Sequence, residues 1–333
     1  MNSKTIITGG AGFIGSHLTE RLKAEGRHLI LIDNLSTGRR SNVEYLLDDR
    51  CQLIVQDVAD AFQDLSIMDG VCEVYHLAAS VGVKRVVDDP TGMIQTNIHD
   101  TTLVLEAAAA TDAAVLVTSS SEVYGKCPVL PLREDMELVY GPTTASRWAY
   151  GMSKAIDEHL AIDLHRSKNL KSVIVRLFNT IGPRQVGMYG MVVPNFVQRA
   201  VRKQTINVFG DGSQTRAFCD VRDITRAMTE LMATKSCYGK VYNLGSTHEI
   251  TINDLADLTN QIASSDQGKT HIPYEDIYGK NFEDPMHRLP DNSKVKAAIN
   301  FNPKYTLTQT ITELVKLEQQ ALESELVDAK DNC

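Results

Sequence analysis

The chain has 333 residues, of which 43% are hydrophobic and 23% charged, and its formal net charge is -8. This length allows a large domain and a smaller one rather than a single small core. Acidic and basic residues are mixed along the chain, which argues against nucleic acid as a partner. An anionic small substrate stays compatible with this composition, because a few arginines set the local potential.

The cysteines and the apolar stretches bear on the compartment. No C-x-x-C pair occurs, and no spacing is typical of a disulfide framework or a zinc site. The first residues are interrupted by glycines and lack the apolar run of a signal peptide, and no later stretch reaches about 18 uninterrupted apolar residues. We therefore expect a cytoplasmic protein with no membrane span.

Short apolar, β-branched runs alternate with helix-length stretches through the first half of the chain. The predicted strands are Lys4–Thr8, His28–Ile32, Cys51–Val55, Cys72–His76, Ala114–Thr118 and Ser172–Leu177. The predicted helices are Gly15–Glu25, Asn97–Ala110 and Tyr150–Arg166. This alternation indicates a doubly wound parallel sheet of the Rossmann α/β type, covered on both faces.

The pattern changes after about residue 178, where turn-rich stretches flank a predicted helix at Val193–Arg202. A later apolar strand, Lys240–Leu244, is expected to return to the parallel sheet, so the two lobes interleave. We predict a larger domain of residues 1–177 plus about 214–243, and a smaller α/β domain of about 178–213 and 244–333. The polar tail from Leu317 is expected to end as a helix.

A glycine-rich turn directly follows the first predicted strand, in the sequence TGGAGFIGSHL. Gly9 permits a tight turn, Gly12 lets backbone N–H groups approach a pyrophosphate, and Gly15 allows the helix to pack closely on the strand. The alternative is an ordinary βα loop. The preceding strand, the following helix and an acid at the end of the next strand together favour a dinucleotide site.

That acid is Asp33, where a carboxylate would accept hydrogen bonds from the adenosine ribose and repel a 2′-phosphate. NAD is therefore favoured over NADP, although Arg39 and Arg40 lie nearby and could hold a 2′-phosphate. Asp57, after the third strand, either reaches the adenine or is a solvated strand end.

Tyr150 and Lys154 stand four residues apart, on one face of a predicted helix. A lysine beside a tyrosine favours the phenolate, which can take a hydroxyl proton while hydride leaves the same carbon. The fifth strand ends in SSSEVYG, and a hydroxyl at this end, such as that of Ser120, can share the substrate proton with Tyr150.

These motifs resemble those of the extended short-chain dehydrogenase/reductases, whose members are nucleotide-sugar epimerases, 4,6-dehydratases and decarboxylases. The resemblance covers nearly the whole chain, through TGGAGFIGSHL, DNLSTG, HLAAS, SSSEVYG, YGMSK, RLFNTIGPR and RDI. It implies that the larger domain holds NAD, that NAD oxidises the sugar C4 hydroxyl to a 4-keto intermediate, and that hydride returns at the end. The remaining cofactor contacts that it implies are Phe13, Ile14, Asn34, Gly38, Val58, Leu77, Ala78, Ala79 and Asn97.

The residues before Val123 discriminate between the family's reactions. The 4,6-dehydratases carry Asp-Glu there, whereas this chain has Ser121-Glu122, and elimination would lack its acid. The 4-epimerases usually have no carboxylate at the second position. A hydroxyl residue followed by Ser-Glu is similar to the UDP-glucuronate decarboxylases, as are the stretch from Gly141 to Tyr150 and the segment from Tyr278 to Pro290.

In a decarboxylase the C4 ketone accepts the electrons released as CO2 leaves C5, and Arg288 and Ser121 would position the carboxylate and protonate C5. Alternatively Glu122 only orients Tyr124 or Arg147, and the decarboxylase interpretation depends on rejecting this. C4 epimerisation stays open, because DNLSTG and the HLAAS segment with Val83 and Lys84 are epimerase-like.

Four positions match family residues near the nucleotide-sugar: Asn179, Val193, Arg216 and Arg288. Arginine forks suit a diphosphate, although Arg216 could instead form a surface salt bridge. Arg222 and Asp223 are expected to form a structural ion pair. UDP is the family's commonest carrier, and nothing in the sequence reads the base directly.

Two further classes are weighed against these. A redox-sensing NAD binder without turnover should have lost Tyr150 or Lys154, and both are present. No H-x-x-x-H pair supports a metal site. The resemblance also implies a homodimer in which the helices near 98–110 and 150–166 pair across a two-fold axis.

Overall fold

The computed structural model describes residues 3–80, 89–187, 191–278 and 285–331. The strands are β1 (Lys4–Thr8), β2 (His28–Ile32), β3 (Cys51–Ile54), β4 (Val71–His76), β5 (Ala114–Ser120), β6 (Ser172–Leu177), β7 (Thr180–Ile181), β8 (Ile206–Phe209), β9 (Thr215–Ala217), β10 (Cys219–Asp220), β11 (Lys240–Leu244), β12 (Glu249–Thr251) and β13 (Lys269–Ile272). The helices are α1 (Phe13–Ala24), α2 (Val58–Ala61), α3 (Pro90–Ala110), α4 (Ala149–Lys168), α5 (Val192–Val201), α6 (Val221–Ala233), α7 (Ile252–Ile262), α8 (Tyr274–Tyr278), α9 (Ser293–Ile299) and α10 (Leu307–Asp331).

Seven strands form one parallel sheet in the order β11-β6-β5-β4-β1-β2-β3. The strand order reverses between β1 and β4, and the carboxyl ends of these strands flank the crevice where ligands bind in such sheets. The predicted Rossmann-type class is confirmed. Lys240–Leu244 returns to the sheet beside β6, as its apolar pattern predicted.

Buried apolar side chains cover both faces of the sheet. On one face Leu18 and Leu22 of α1 pack in a cluster with Ile224 of α6. On the other, Val104 and Leu105 of α3 share a cluster with the sheet interior. A sheet covered on both faces explains why its strands are continuous apolar runs.

The second lobe has its own core and short two-stranded ladders. Phe196 of α5, Leu255 of α7 and Ile311 of α10 share one buried cluster. The ladders join β8 to the parallel β13, and β9 to the antiparallel β12. A further short parallel pair joins β7, which follows β6 in the chain, to β10, which directly precedes α6.

Two helices begin well before the start that the sequence predicted. Helix α3 begins at Pro90, where the Asp89 side chain accepts a hydrogen bond from the Gly92 N–H, so an N-cap and a proline at the first position set its start. Helix α10 begins at Leu307 rather than in the region of Leu317, because Ile311 and Val315 are buried against the second lobe.

The predicted Arg222–Asp223 ion pair is wrong. The Arg222 guanidinium lies 2.7 Å from Asp220 and 2.8 Å from Glu313, whereas Asp223 pairs with Arg226 at 3.0 Å. Neighbouring residues of a helix point to different sides, while residues three apart share a face.

No helix in the described ranges has both the length and the apolar character needed to cross a membrane.

Candidate active site

The glycine turn after β1 is packed too tightly for side chains. Gly9 has φ +70°, and a Cβ there would lie 2.9 Å from the Ala78 backbone nitrogen. A Cβ on Gly15 would meet the Gly9 carbonyl oxygen at 2.0 Å. The turn therefore requires glycine and lets the start of α1 approach a ligand closely.

The Asp33 carboxylate is tied to this turn. Its oxygens accept hydrogen bonds from the backbone N–H groups of Ala11 (3.0 Å) and Leu35 (2.8 Å). A Cβ on Gly38 would lie 2.7 Å from both carboxylate oxygens, so glycine leaves room for the acid. Burial raises the pKa of Asp33 more than the backbone hydrogen bonds lower it, so the net shift is upward. Asp33 thus sits at the end of β2, against the turn expected to hold a pyrophosphate.

The other candidate cofactor residues lie around the same crevice. Asn34 donates a hydrogen bond to Asp57 over 2.6 Å, so Asp57 is partnered rather than only solvated. Val58 is buried at the start of α2. The Ala78 N–H donates to Thr8 Oγ1 at the end of β1, which places Leu77, Ala78 and Ala79 beside the glycine turn.

Asn97 is already engaged within the protein. Its Oδ1 accepts from the Ser80 N–H at 2.8 Å, and its amide nitrogen lies 3.4 Å from Ser153 Oγ on α4. It therefore holds the end of the HLAAS segment against the helix that carries Tyr150. Phe13 and Ile14 form the first turn of α1, where Phe13 stacks edge-on with His17 at 6.0 Å.

The residues present fit a dinucleotide. The side-chain-free turn, the N-terminus of α1 and the acid at the end of β2 lie at the point where the strand order reverses. Among the described residues, no group of three or more His, Cys, Asp or Glu side chains is arranged to hold a metal ion.

Tyr150 and Ser120 come together at the carboxyl end of β5. A hydrogen bond with Ser120 lowers the pKa of the Tyr150 phenol, but burial and the charges of Glu122 and Asp157 raise it, and the net shift is upward. The net direction is thus opposite to the lowering expected from Lys154, whose own effect on the phenol stays a prediction. Lys154 instead donates to Asp157 over 2.7 Å, with both side chains buried.

Glu122 lies between two arginines that are far away in the sequence. Arg147 donates two hydrogen bonds to it, at 2.6 and 3.1 Å, and Arg288 donates a third. Burial raises the pKa of Glu122, but the guanidinium groups of Arg288 and Arg147 outweigh this and hold it at about 2. Glu122 is consequently ionised at neutral pH and cannot serve there as a proton donor.

The structure therefore favours the alternative in which Glu122 orients Arg147, so the decarboxylase interpretation has to rest on residues other than Glu122. Glu122 orients Arg147, whereas the Tyr124 hydroxyl donates to Asn243 at 2.7 Å. What the alternative did not include is Arg288, the arginine expected to position the substrate carboxylate.

The candidate substrate residues differ in what they can offer. Asn179 donates to the Ala217 carbonyl at 3.3 Å, and Arg216, 7% exposed, donates to the Thr215 carbonyl at 2.7 Å. Arg216 is thus a buried side chain rather than a surface one. The Val193 side chain is 1% exposed within the second-lobe core, so only its backbone, in the first turn of α5, could reach a ligand.

Val83 and Lys84 lie outside the described residues, as do residues 279–284 of the segment from Tyr278 to Pro290. Asp157 is the neighbour of the site that the sequence interpretation missed. Its only signal was a carboxylate three residues after Lys154, on the same helix face.

The chain matches the family model described as GDP-mannose 4,6 dehydratase over residues 6–314. The chain belongs to this family. The chain is an enzyme of this family, and its curated relatives include decarboxylases. It is 35% identical over 317 residues to the UDP-N-acetyl-alpha-D-glucosaminuronate decarboxylase of Bacillus cytotoxicus, covering 95% of this chain and 98% of that protein.

Two further similarities bear on the reaction. UDP-glucuronic acid decarboxylase 1 of Arabidopsis thaliana is 35% identical over 94% of this chain and 69% of its own length. The structure of UDP-glucuronic acid 4-epimerase from Bacillus cereus, in complex with UDP-glucuronic acid and NAD, is 28% identical with a TM-score of 0.85, covering 96% of this chain and 99% of that one.

Proposed function

We propose that this family member is an NAD-dependent decarboxylase of UDP-glucuronate that works through a 4-keto intermediate. The observation that carries the proposal is the convergence of Arg147 and Arg288 on Glu122, beside Tyr150 and Ser121. A guanidinium group can donate two parallel hydrogen bonds to one carboxylate, and a hexuronate substrate would bring its carboxylate to these arginines. The names of the decarboxylase relatives support the same reaction.

The first step is oxidation at the sugar C4. Bound NAD supplies the acceptor, and later the donor, of the C4 hydride. The Tyr150 phenolate takes the proton of the C4 hydroxyl, and Ser120, which hydrogen-bonds to Tyr150, shares that proton. Lys154 contributes a positive charge close to the base, partly offset by Asp157.

The carbon–carbon bond breaks in the second step. In the 4-keto acid the electrons of the C5–C6 bond move to the C4 carbonyl as CO2 leaves, and the Tyr150 hydroxyl stabilises the oxygen anion that forms there. Arg288 positions the carboxylate. Ser121, which is 5% exposed and directly follows β5, delivers a proton to C5. Hydride return to C4 then completes a UDP-pentose.

Glu122 acts through the two arginines in this scheme. Because it stays ionised, it fixes the guanidinium groups of Arg147 and Arg288 in place and transfers no proton. The decarboxylase function therefore depends on Arg288 and Ser121, and Glu122 is the positioning residue of Arg288. Asn179, Arg216 and the backbone of Val193 hold the nucleotide diphosphate in the same proposal.

The second candidate is a 4-epimerase, which the likeness to the Bacillus cereus UDP-glucuronic acid 4-epimerase favours. To decide between them, the purified protein is incubated with UDP-glucuronate and NAD, and products are followed by mass spectrometry. We expect a UDP-pentose or its 4-keto form. An isobaric product with inverted C4 would instead assign epimerisation. UDP-N-acetylglucosaminuronate, the substrate named for the first relative, is run in parallel to find which C2 substituent is accepted.

We further propose a homodimer formed by α3 and α4. These two helices pack side by side, and Ile156 on α4 leaves 43% of its surface exposed. We expect sedimentation velocity at micromolar concentration to give a dimer, and Ile156→Glu to shift it toward the monomer. A wild-type monomer under these conditions would remove the proposal.

We also propose a cytoplasmic location and keep the domain boundaries predicted from the sequence. The five described cysteines are all free, which suits a reducing compartment. We assign NAD binding to residues 1–177 and about 214–243, and nucleotide-sugar binding to the remainder.

A further inference from the structure

Lys154 has a buried carboxylate partner that the Y-x-x-x-K pattern does not require. Its ammonium donates to Asp157 Oδ2 over 2.7 Å, and the two side chains are 1% and 0% exposed. The residues are three apart on α4, so they share a helix face. The second carboxylate oxygen of Asp157 has no hydrogen-bond partner among the described residues. Lys154 is thus the charged side chain that Asp157 contacts.

The groups around Asp157 come from three elements. They are Tyr150, Lys154 and Glu158 on α4, Asp100 and Thr101 on α3, and His76 at the end of β4. His76 bonds to Thr101 at 3.1 Å and to Thr8 at 2.8 Å, and burial with the nearby Lys154 lowers its pKa to about 3. Burial and neighbouring carboxylates, including Asp157, raise the pKa of Asp100 to about 6. Within this described set, Lys154 is the one lysine or arginine side chain.

Two opposing charges therefore act on the phenol of Tyr150. Burial raises the pKa of Asp157 and sets the net direction, while the adjacent ammonium of Lys154 and a hydrogen bond with Thr101 lower it and favour the ionised form. Ionised Asp157 in turn raises the pKa of Tyr150, after burial and Glu122. The lysine favours the phenolate and the aspartate opposes it.

We propose that Asp157 is a positioning residue that holds the Lys154 ammonium beside the active site and offsets part of its charge at Tyr150. Asp157 acts through Lys154 and touches no reacting atom. The proposal rests on the proposed function, because it assumes that Tyr150 is the base. A purely structural ion pair would hold α4 together without tuning Tyr150.

The pH dependence of turnover separates these two roles. The base is active as phenolate, so lowering the Tyr150 pKa moves the acid limb of the rate profile to lower pH. Asp157→Asn keeps an acceptor for Lys154 but removes the negative charge, and we expect the midpoint to fall by about one pH unit or more. Asp163→Asn makes the same charge change at an exposed position of α4 and should leave the midpoint unchanged. An unmoved midpoint in Asp157→Asn, or an equal shift in both variants, would overturn the proposal.

Two additions keep the test decisive. Asp157→Ser is a second neutral variant, for use if Asp157→Asn does not fold, and it must move the midpoint in the same direction. The titration of Tyr150 is also followed directly, with NAD bound, by phenolate absorbance. The Tyr150 signal is the absorbance that disappears when the Tyr150→Phe substitution is introduced into the wild type or into the Asp157 variant. Loss of UDP-glucuronate turnover with this shift retained would contradict the proposed function alone, whereas turnover without the shift would contradict the role of Asp157.

Discussion

Tyr150→Phe should lower turnover about a thousandfold or more while NAD stays bound. The phenol is the group that takes the C4 hydroxyl proton, and Ser120, its hydrogen-bond partner, has no tendency to ionise at neutral pH. The glycine turn and Asp33, which carry the expected cofactor contacts, are untouched by the change. Turnover is measured with UDP-glucuronate, and bound NAD is measured after its release from the purified protein.

Tyr140→Phe is the matched control. The Tyr140 hydroxyl is buried without a hydrogen-bond partner in the described part of the chain, so its removal should cost neither stability nor turnover. If Tyr150→Phe retained turnover comparable to that of Tyr140→Phe, Tyr150 could not be the base.

Glu122→Gln should lower both turnover and stability. An amide cannot balance two guanidinium groups, and breaking a buried ion pair by removing one partner costs about 3 kcal/mol. We expect turnover to fall about a hundredfold, because Arg288 loses the carboxylate that fixes its position. Steady-state rates and urea unfolding measure the two effects.

The stability loss should depend on pH in a defined direction. The pKa of Glu122 is about 2 in the folded protein, well below its ordinary value. Its stabilisation is therefore fully present above the unfolded pKa of about 4.3 and is lost as pH falls toward 2. The difference between wild type and Glu122→Gln should be largest at neutral pH and shrink below about pH 4.

Glu137→Gln makes the same change of charge at an exposed position and serves as the control. Equal stability and turnover in the wild type and Glu122→Gln would contradict the positioning role of Glu122. An acid limb of the rate profile that disappeared in Glu122→Gln would also contradict it, since a group with so low a pKa cannot produce that limb.

The main sheet was predictable because its strands are buried on both faces. β1, β2, β6 and β11 have the bounds that their apolar runs predicted, and β11 was expected to return to the sheet. The start of α3 was missed because its first turn carries no apolar period, although the Asp89-Pro90 cap was visible. The short ladders of the second lobe were missed because two to four residues carry too little pattern.

The residues of the candidate site also fall into those that the sequence predicted and those that it did not. The glycine turn, Asp33 and the Tyr150–Lys154 pair were found because each is a local pattern with a known geometric purpose. The contact between Glu122 and Arg288 spans 166 residues, and only the resemblance to decarboxylases indicated both residues. Asp157 was missed because the spacing shows which helix face it shares, but not that this face is buried.

The central claim is that C5 loses CO2 and gains a proton, and the reaction in D2O with UDP-glucuronate and catalytic NAD tests it most directly. Protonation of C5 by an exchangeable group such as the Ser121 hydroxyl places solvent deuterium there, whereas hydride returned to C4 does not exchange with solvent. We predict a UDP-pentose carrying one deuterium at C5, observed by proton NMR and mass spectrometry. A UDP-hexuronate with inverted C4 and no deuterium would contradict decarboxylation and assign the protein to epimerisation.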